Sequence, residues 1–166
     1  VDTLHENAPW HLEILGAKGC WAEHPDVHPI ALFPAHFPEN GDLIITEIAH
    51  DPRGMSEAFG TLVELYNPST SQSIQLDGVR LNGMTLESVG AISPRGRVCQ
   101  SVSLPPESGE IRLSNHHGFT IDEVHYSRCW HTNRHKAGAG FSLVRLQPNR
   151  GRIPADAAYA WDSSAD

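Results

Sequence analysis

Two runs of sequence decide the fold: Gly41-Asp-Leu-Ile-Ile-Thr-Glu-Ile-Ala-His-Asp-Pro52 and Gly60-Thr-Leu-Val-Glu-Leu-Tyr-Asn67. Large apolar and β-branched residues dominate both runs, and successive side chains alternate between two faces, as in a strand. Pro52 and Pro68 end the runs, because proline has no backbone N–H to donate to a sheet. The sequence therefore predicts two neighbouring strands joined by a polar, glycine-containing loop.

Shorter runs of the same kind continue along the chain. They predict strands at 73–77, 79–81, 84–89, 96–104, 109–114, 118–126 and 140–146. Asn82-Gly83 is a strong hairpin-turn signal, and Pro94-Arg-Gly96 is also typical of a turn. No segment has a sustained 3.6-residue apolar period. Many short strands between Gly/Pro turns predict an all-β fold, a sandwich or a barrel.

The first forty residues have a different character. Trp10–Leu15 alternates like a strand, whereas 24–40 contains four prolines, which predict an extended connector. We place a domain boundary near 39–41. Residues 1–40 are then a linker or the last strand of a preceding domain, and residues 41–166 form the main domain.

Composition limits the classes of function. The 166 residues are 39% hydrophobic, which is enough for a core, and 12 Lys+Arg against 20 Asp+Glu give a net charge of −8. This charge repels a phosphate backbone, so nucleic acid is a poor candidate partner. No apolar run approaches the roughly 20 residues that span a bilayer. Cys20, Cys99 and Cys129 allow one disulfide with a free thiol, or three thiols, and the spacing does not choose between them.

A family resemblance extends over several of these segments in order. Ile44–Pro52, Leu62–Asn67 and Ile74–Leu81 resemble the strand ending in Asp-Pro, the Glu-Leu-Tyr-Asn strand and the following hairpin of the lamin tail domain family, in its bacterial form. Ile121–Ser127, Gly140–Leu146 and Trp161–Ser164 are similar to its late and closing elements. Val79 stands where the family commonly has Trp, and Cys129–His135 is an insertion.

The resemblance implies an immunoglobulin-like β-sandwich with a structural or binding role. Bacterial members are accessory modules of secreted or cell-surface proteins, some of which also carry hydrolase domains, so an extracytoplasmic location is expected. Trp10–Cys20 is similar to the end of the Ig-like domains that precede such modules. The expected partner is another protein or another domain of the same parent chain.

Several side chains are candidate metal ligands. His131 and His135 are four residues apart and, with Cys129, have ligand types that suit Zn²⁺. An exposed loop is the simpler interpretation, because Asn133 and Gly138 interrupt any helix. Calcium through acidic residues is a further hypothesis, although no D-x-D-x-D-G loop is present; the available residues are Asp51, Glu57, Asp77 and Asp122.

Other residues suggest catalysis or ligand binding. Glu47 and Glu64 could face one side of a sheet as an acid–base pair, but hydrogen-bonded structural carboxylates are the simpler interpretation. Trp130 and Trp161 could stack on a sugar ring, although packing in the interior is more common for tryptophan. Arg128, Arg134, His135 and Lys136 form one short basic cluster, which a solvated loop also explains.

We therefore predict a non-catalytic interaction or structural module without a resident cofactor. One alternative is a metal-dependent hydrolase, or its accessory domain, that uses the His125–His135 region. Another is a carbohydrate-binding module that uses Trp130 or Trp161. No P-loop, Gly-x-Ser-x-Gly or His-Glu-x-x-His motif occurs in the sequence.

Overall fold

The chain is all-β, as the sequence predicts. The computed structural model describes residues 10–12, 30–32, 35–51, 60–86, 90–133, 135–137, 139–146 and 158–164. Within these ranges the regular elements are fourteen strands and two 3₁₀ helices, Arg128–Trp130 and Ala158–Ala160. Also within them, no helix is long and apolar enough to cross a membrane.

The strands are short and follow one another closely along the chain. In order they are β1 Trp10–Leu12, β2 Ile30–Leu32, β3 Ala35–His36, β4 Ile44–Ala49, β5 Leu62–Tyr66, β6 Ser73–Gln75, β7 Arg80–Leu81, β8 Met84–Thr85, β9 Ala91–Ile92, β10 Arg97–Ser101, β11 Ser108–Ser114, β12 Thr120–Ser127, β13 Leu143–Arg145 and β14 Trp161–Ser163.

The strands form four sheets. The largest has the order β10-β5-β4-β13-β14, and the second has the order β12-β11-β7-β8. Strands β3, β6 and β9 form a smaller sheet, and β1 pairs with β2. The two strands predicted from 41–67 are thus antiparallel neighbours within the five-stranded sheet, with a bulge between Ile45 and Glu47.

One hydrophobic core joins the three larger sheets. It contains Ile45 and Leu65 from the five-stranded sheet, Ile111 and Val124 from the four-stranded sheet, and Ile74 from the smaller one. Burial alternates along β11, as the period-2 pattern of a strand predicts. In β4 the neighbours Ile45 and Thr46 are both buried, where the bulge interrupts the alternation. Burial of this apolar area is the main term that stabilises the fold.

The predicted hairpin at Asn82-Gly83 is present between β7 and β8. Both residues have positive φ, 49° at Asn82 and 82° at Gly83, as a two-residue type I′ turn requires. Arg80 pairs with Thr85, and Leu81 with Met84. Most predicted strands occur but are shorter than predicted, and residues 87–89 of the predicted strand 84–89 lie outside the described ranges.

The proline-rich segment contains more regular structure than a connector. Strands β2 and β3 both lie within it, and β3 pairs in parallel with β6. The Gly41 amide also donates to the Ile121 carbonyl over 2.9 Å. Residues 35–41 are therefore attached to the main body. Of the predicted features, the loop at 52–59, Glu57, Cys20 and Arg134 lie outside the described residues.

Candidate functional site

The turn between β11 and β12 is built by the Asn115 side chain. Its Oδ1 accepts hydrogen bonds from the amides of His117, at 3.0 Å, and Phe119, at 3.1 Å. Its Nδ2 donates to the Pro38 carbonyl at 3.3 Å, which fixes the turn against the segment before β4. Gly118, with φ 84°, lets the chain turn back into β12.

Four rings meet on the surface at this turn: Phe37, His116, His117 and Phe119, which we call the aromatic surface. Ring centroids are separated by 4.9 Å between Phe37 and His116, 3.7 Å between the two histidines, and 6.3 Å between His117 and Phe119. Phe119 is 70% exposed and Phe37 54% exposed. Since single exposed phenylalanines are ordinary, it is their grouping that marks a candidate interaction surface.

A second candidate site is buried, where the end of β4 meets the segment that follows β12. His50 comes directly after β4, and His131 comes directly after the 3₁₀ helix Arg128–Trp130. Both side chains are buried, and their Nε2 atoms lie 3.3 Å apart. The two rings are tilted by 47° with centroids 5.5 Å apart. The fold thus brings together two imidazoles that are 81 positions apart in sequence.

The remaining nitrogen of each imidazole is also engaged. Nδ1 of His50 lies 2.7 Å from the Pro106 carbonyl oxygen, and Nδ1 of His131 lies 2.9 Å from Ser163 Oγ on β14. The Tyr126 ring packs beside His50, with centroids 5.3 Å apart, and its hydroxyl donates to the Pro105 carbonyl. These contacts fix both imidazoles in position.

Burial sets the protonation of this pair. Loss of hydration lowers the pKa of His50 and is also the main cause that lowers the pKa of His131, whose neighbour His50 lowers it further. Both rings are therefore neutral near pH 7. Burial also raises the pKa of Tyr126 to about 12. The charged groups that act on the pair are Asp51, Glu107, Asp162 and Arg128.

His50 also lines a surface groove of about 550 Å³. Its other lining residues are Gly60, Thr61, Ser101, Val102, Ser103, Leu104 and Pro106. The lining combines apolar side chains with three hydroxyl groups. The groove therefore offers room for water or a small ligand beside His50.

The predicted zinc ligands do not assemble with one another. His131 is buried and faces His50, whereas Cys129 and His135 are exposed. His125 is on the exposed face of β12, 3.2 Å from Glu123. Glu110, Glu123 and His125 do bring three possible ligand atoms within 4.8 Å of one another. This group lies on the exposed face of its sheet, where Arg112 also approaches Glu123, at 3.9 Å.

The two tryptophans considered as sugar-binding residues stack on each other. Trp161 is 1% exposed, and Trp130 is half-buried and packs against the core. Their rings stack at 6.2 Å with an angle of 27°. Trp161 lies on β14, which pairs with β13, and its ring is part of the hydrophobic core. The buried indole of Trp161 offers no face to a sugar, so its position gives no support to the carbohydrate-binding hypothesis.

The two glutamates considered as an acid–base pair both accept hydrogen bonds from within the protein. Glu47 and Glu64 do lie opposite each other on β4 and β5. Ser142 Oγ donates to the Glu47 carboxylate, and Thr46 Oγ1 and the Arg97 guanidinium donate to that of Glu64. Both carboxylates thus hold strands together, as their structural interpretation expects.

Arg128 and Lys136 of the basic cluster likewise form contacts within the protein. The Arg128 guanidinium pairs with Glu107 at 2.8 Å and donates to the Ala137 carbonyl. Lys136 Nζ donates to the Ser164 carbonyl and lies 4.6 Å from the centroid of the Phe141 ring. These contacts hold the segment after β12 to the rest of the molecule.

The acidic residues considered for calcium are dispersed. Asp122 accepts from the Ile45 amide at 2.9 Å and pairs with Arg145 at 3.0 Å. Asp51 is buried beside His50, whereas Asp77 is exposed and accepts from Gln75. These three carboxylates therefore belong to three separate environments.

Sequence reasoning missed His50 and the aromatic surface. Because His50 follows a strongly apolar strand, its burial could have been predicted, but its contact with His131 depends on how the sheets pack.

Comparison with protein-family models, with curated proteins and with solved structures found no match.

Proposed function

We propose that this chain is a non-catalytic binding module that docks a protein partner on the aromatic surface. The observation that carries the proposal is the contiguous row of Phe37, His116, His117 and Phe119, whose two phenylalanines are both more than half exposed. Aromatic rings are enriched in the centres of protein interfaces, because they bury a large area at small entropic cost.

The shape of the row favours a protein over a carbohydrate. Adjacent rings are tilted by 52°, 44° and 59°, so they form an uneven relief instead of a flat platform. A sugar ring stacks on a flat aromatic face, whereas apolar side chains of a protein fit between tilted rings. The partner we infer is therefore a protein, or another domain of the parent chain, that presents apolar side chains.

The engagement of the strand carboxylates supports a non-catalytic role. A general acid or base must reach a substrate proton. Glu47 and Glu64 instead accept hydrogen bonds from Ser142, Thr46 and Arg97. A saturable catalytic activity that Glu64→Gln removes from a folded protein would contradict this part of the proposal.

The fold and location we propose follow from the lamin-tail resemblance. Two antiparallel sheets that share one core support an immunoglobulin-like sandwich. The segments that carry the resemblance contribute β4, β5 and β12 of these sheets. By the same resemblance we propose that the module belongs to a secreted or cell-surface bacterial protein.

Selection from a random peptide library tests the docking surface. The full chain is immobilised and panned against phage-displayed peptides, and the affinities of enriched peptides are measured for wild type, Phe119→Ala and Met84→Ala. Met84 is 52% exposed and lies apart from the aromatic surface, on β8, so it provides the matched control.

We expect enriched apolar peptides whose affinity falls about tenfold or more in Phe119→Ala and is unchanged in Met84→Ala. Peptides that bind both variants as they bind wild type would contradict the proposal. So would a glycan array on which wild type binds and Phe119→Ala does not, since that result would identify a carbohydrate ligand. Because Phe119 is exposed, its replacement should leave the melting temperature unchanged.

A further inference from the structure

The buried histidine pair has the spacing of two ligands on one cation. The Nε2 atoms of His50 and His131 lie 3.3 Å apart. Two imidazole nitrogens bound to a tetrahedral Zn²⁺, each about 2.0–2.1 Å from the ion, lie about 3.3–3.4 Å from each other. The distance between the two Nε2 atoms therefore matches one edge of a tetrahedral site.

The partners of the other ring nitrogens suit the same arrangement. A carbonyl oxygen can only accept, so His50 donates from Nδ1 to Pro106, and its Nε2 carries a lone pair when the ring is neutral. Ser163 Oγ, 2.9 Å from Nδ1 of His131, can accept from that ring in the same way. Metal-bound histidines characteristically donate their second N–H to such an acceptor, which orients the ring.

The surroundings also favour positive charge. Asp51 is buried next to His50 in sequence, and its negative charge acts on both imidazoles. The groove lined by His50 contains hydroxyl groups and space for water. A cation held by two neutral imidazoles would thus gain the negative charge of Asp51, and the groove beside His50 would be a source of water.

We propose that His50 and His131 bind one divalent transition-metal ion of the Zn²⁺ class through their Nε2 atoms. Imidazole ligands suit Zn²⁺ and its neighbours in the first transition row better than they suit Mg²⁺ or Ca²⁺. Water or an oxygen atom of a bound ligand completes the coordination. The ion links the end of β4 to the segment after β12 and so connects the two largest sheets.

A neutral hydrogen bond is the competing arrangement. If Ser163 donates to Nδ1 of His131, the proton of that ring is on Nε2 and points to His50, and no ion is needed. The two arrangements differ in one proton position. Ser163→Ala also tests the metal arrangement. If His131 is a ligand, loss of the hydroxyl that accepts from its Nδ1 should weaken metal binding by about 10–100-fold.

Metal titration of the EDTA-treated full chain tests the proposal. Zn²⁺ binding is measured by calorimetry, and Co²⁺ binding by the visible absorption bands of tetrahedral Co²⁺. We expect about one equivalent in wild type, at least tenfold weaker binding in His131→Gln and weaker binding in Ser163→Ala. His125→Gln and Cys129→Ser are the controls, because both residues are exposed possible ligands.

Three results would overturn the proposal: no binding by wild type, equal affinity in His131→Gln, or loss of binding in a control variant. Should His131→Gln fail to fold, ¹⁵N NMR of the wild-type rings decides. With one equivalent of Zn²⁺, we expect both rings protonated at Nδ1 and both Nε2 resonances shifted. A His131 ring that keeps its proton on Nε2 establishes the hydrogen bond instead. Neither experiment depends on the aromatic surface.

Discussion

Glu47 and Glu64 face each other directly across strands β4 and β5, and a hydroxyl group donates to each carboxylate. Like charges in opposite positions of an antiparallel pair destabilise a sheet. Thr46 and Ser142 offset this by donating to Glu64 and Glu47 respectively, and Arg97 lies 2.7 Å from Glu64. Hydrogen-bond donors on nearby residues thus allow two carboxylates to lie opposite each other near the middle of the sheet.

Thr46→Val should therefore destabilise the fold. The substitution keeps the β-branched shape but removes the hydroxyl that donates to Glu64. A hydrogen bond to a charged group contributes about 1.5–3 kcal/mol, so we expect a loss of about 2 kcal/mol in the free energy of unfolding by urea. Thr85→Val on exposed β8 is the control and should change stability by less than about 0.5 kcal/mol. Equal effects of the two substitutions would contradict this explanation.

Gly78→Ala should disturb both the fold and the aromatic surface. Gly78 has φ 74°, and a Cβ there would lie 2.8 Å from Cβ of His116. Gly83→Ala is the matched control, because Gly83 has φ 82° with nothing within 4 Å of the added Cβ. In both variants the left-handed backbone at the new alanine costs about 1–2 kcal/mol of stability. We expect Gly78→Ala to cost clearly more and to shift the NMR signals of His116 and Phe119, which Gly83→Ala should leave in place.

Asp122→Ala should destabilise the fold. Asp122 and Arg145 form an ion pair at 3.0 Å with little exposure, and Asp122 also accepts from the Ile45 amide. Removing the carboxylate leaves the half-buried Arg145 without its ion-pair partner and the Ile45 amide without an acceptor. Arg145 keeps the Ile45 carbonyl as an acceptor, and burial already raises the pKa of Asp122, so we expect a loss of about 2 kcal/mol. Urea unfolding should show this loss, whereas Asp77→Ala, on an exposed turn, should change little. A loss below about 1 kcal/mol would mean that water replaces the carboxylate.

The sequence predicts those parts of the fold that depend on local pattern. Strands β4 and β5 are runs of six and five mostly large apolar and β-branched residues, and Asn82-Gly83 has the chemistry of its turn. Strands β3 and β9 have two residues each, too few to show any period. They exist because β6 lies between them in the sheet, which is a tertiary effect.

The candidate sites were less predictable than the fold. The contact of His50 with His131 depends on packing between distant strands, so spacing along the chain pointed to Cys129 and His135 instead. The burial of Trp161 was equally hard to predict, because it depends on the position of β14 in the sheet and on the core that its ring joins. Residue type suggested the chemistry in each case, and the topology decided the neighbours.

Cys99 should react more slowly than Cys129. Both are free, exposed thiols, but partial burial raises the pKa of Cys99, and the charges of Glu64 and Glu47 raise it further. Because the thiolate is the reactive form, we expect slower alkylation of Cys99 by iodoacetamide at pH 8, followed by peptide mass mapping. Glu64→Gln should accelerate Cys99 and leave Cys129 unchanged. Equal rates for the two cysteines in wild type would contradict this reasoning.

Acid should destabilise the metal-free protein through the histidine pair. Burial lowers the pKa of His50 and His131 below the ordinary value of 6.5. The unfolded chain therefore takes up protons first as pH falls, so stability from this pair is complete above about pH 6.5 and is lost as pH falls towards the lowered folded pKa. Each 1 kcal/mol lost should lower the melting temperature by about 2–4 °C. We would measure melting temperatures in EDTA from about pH 7.5 to about pH 5, an interval that contains the ordinary histidine pKa of 6.5. The melting temperature of wild type should fall more steeply over this interval than that of His131→Gln. His125→Gln, which replaces an exposed imidazole, should follow wild type. Parallel slopes for wild type and His131→Gln would show that the acid sensitivity of the fold arises elsewhere.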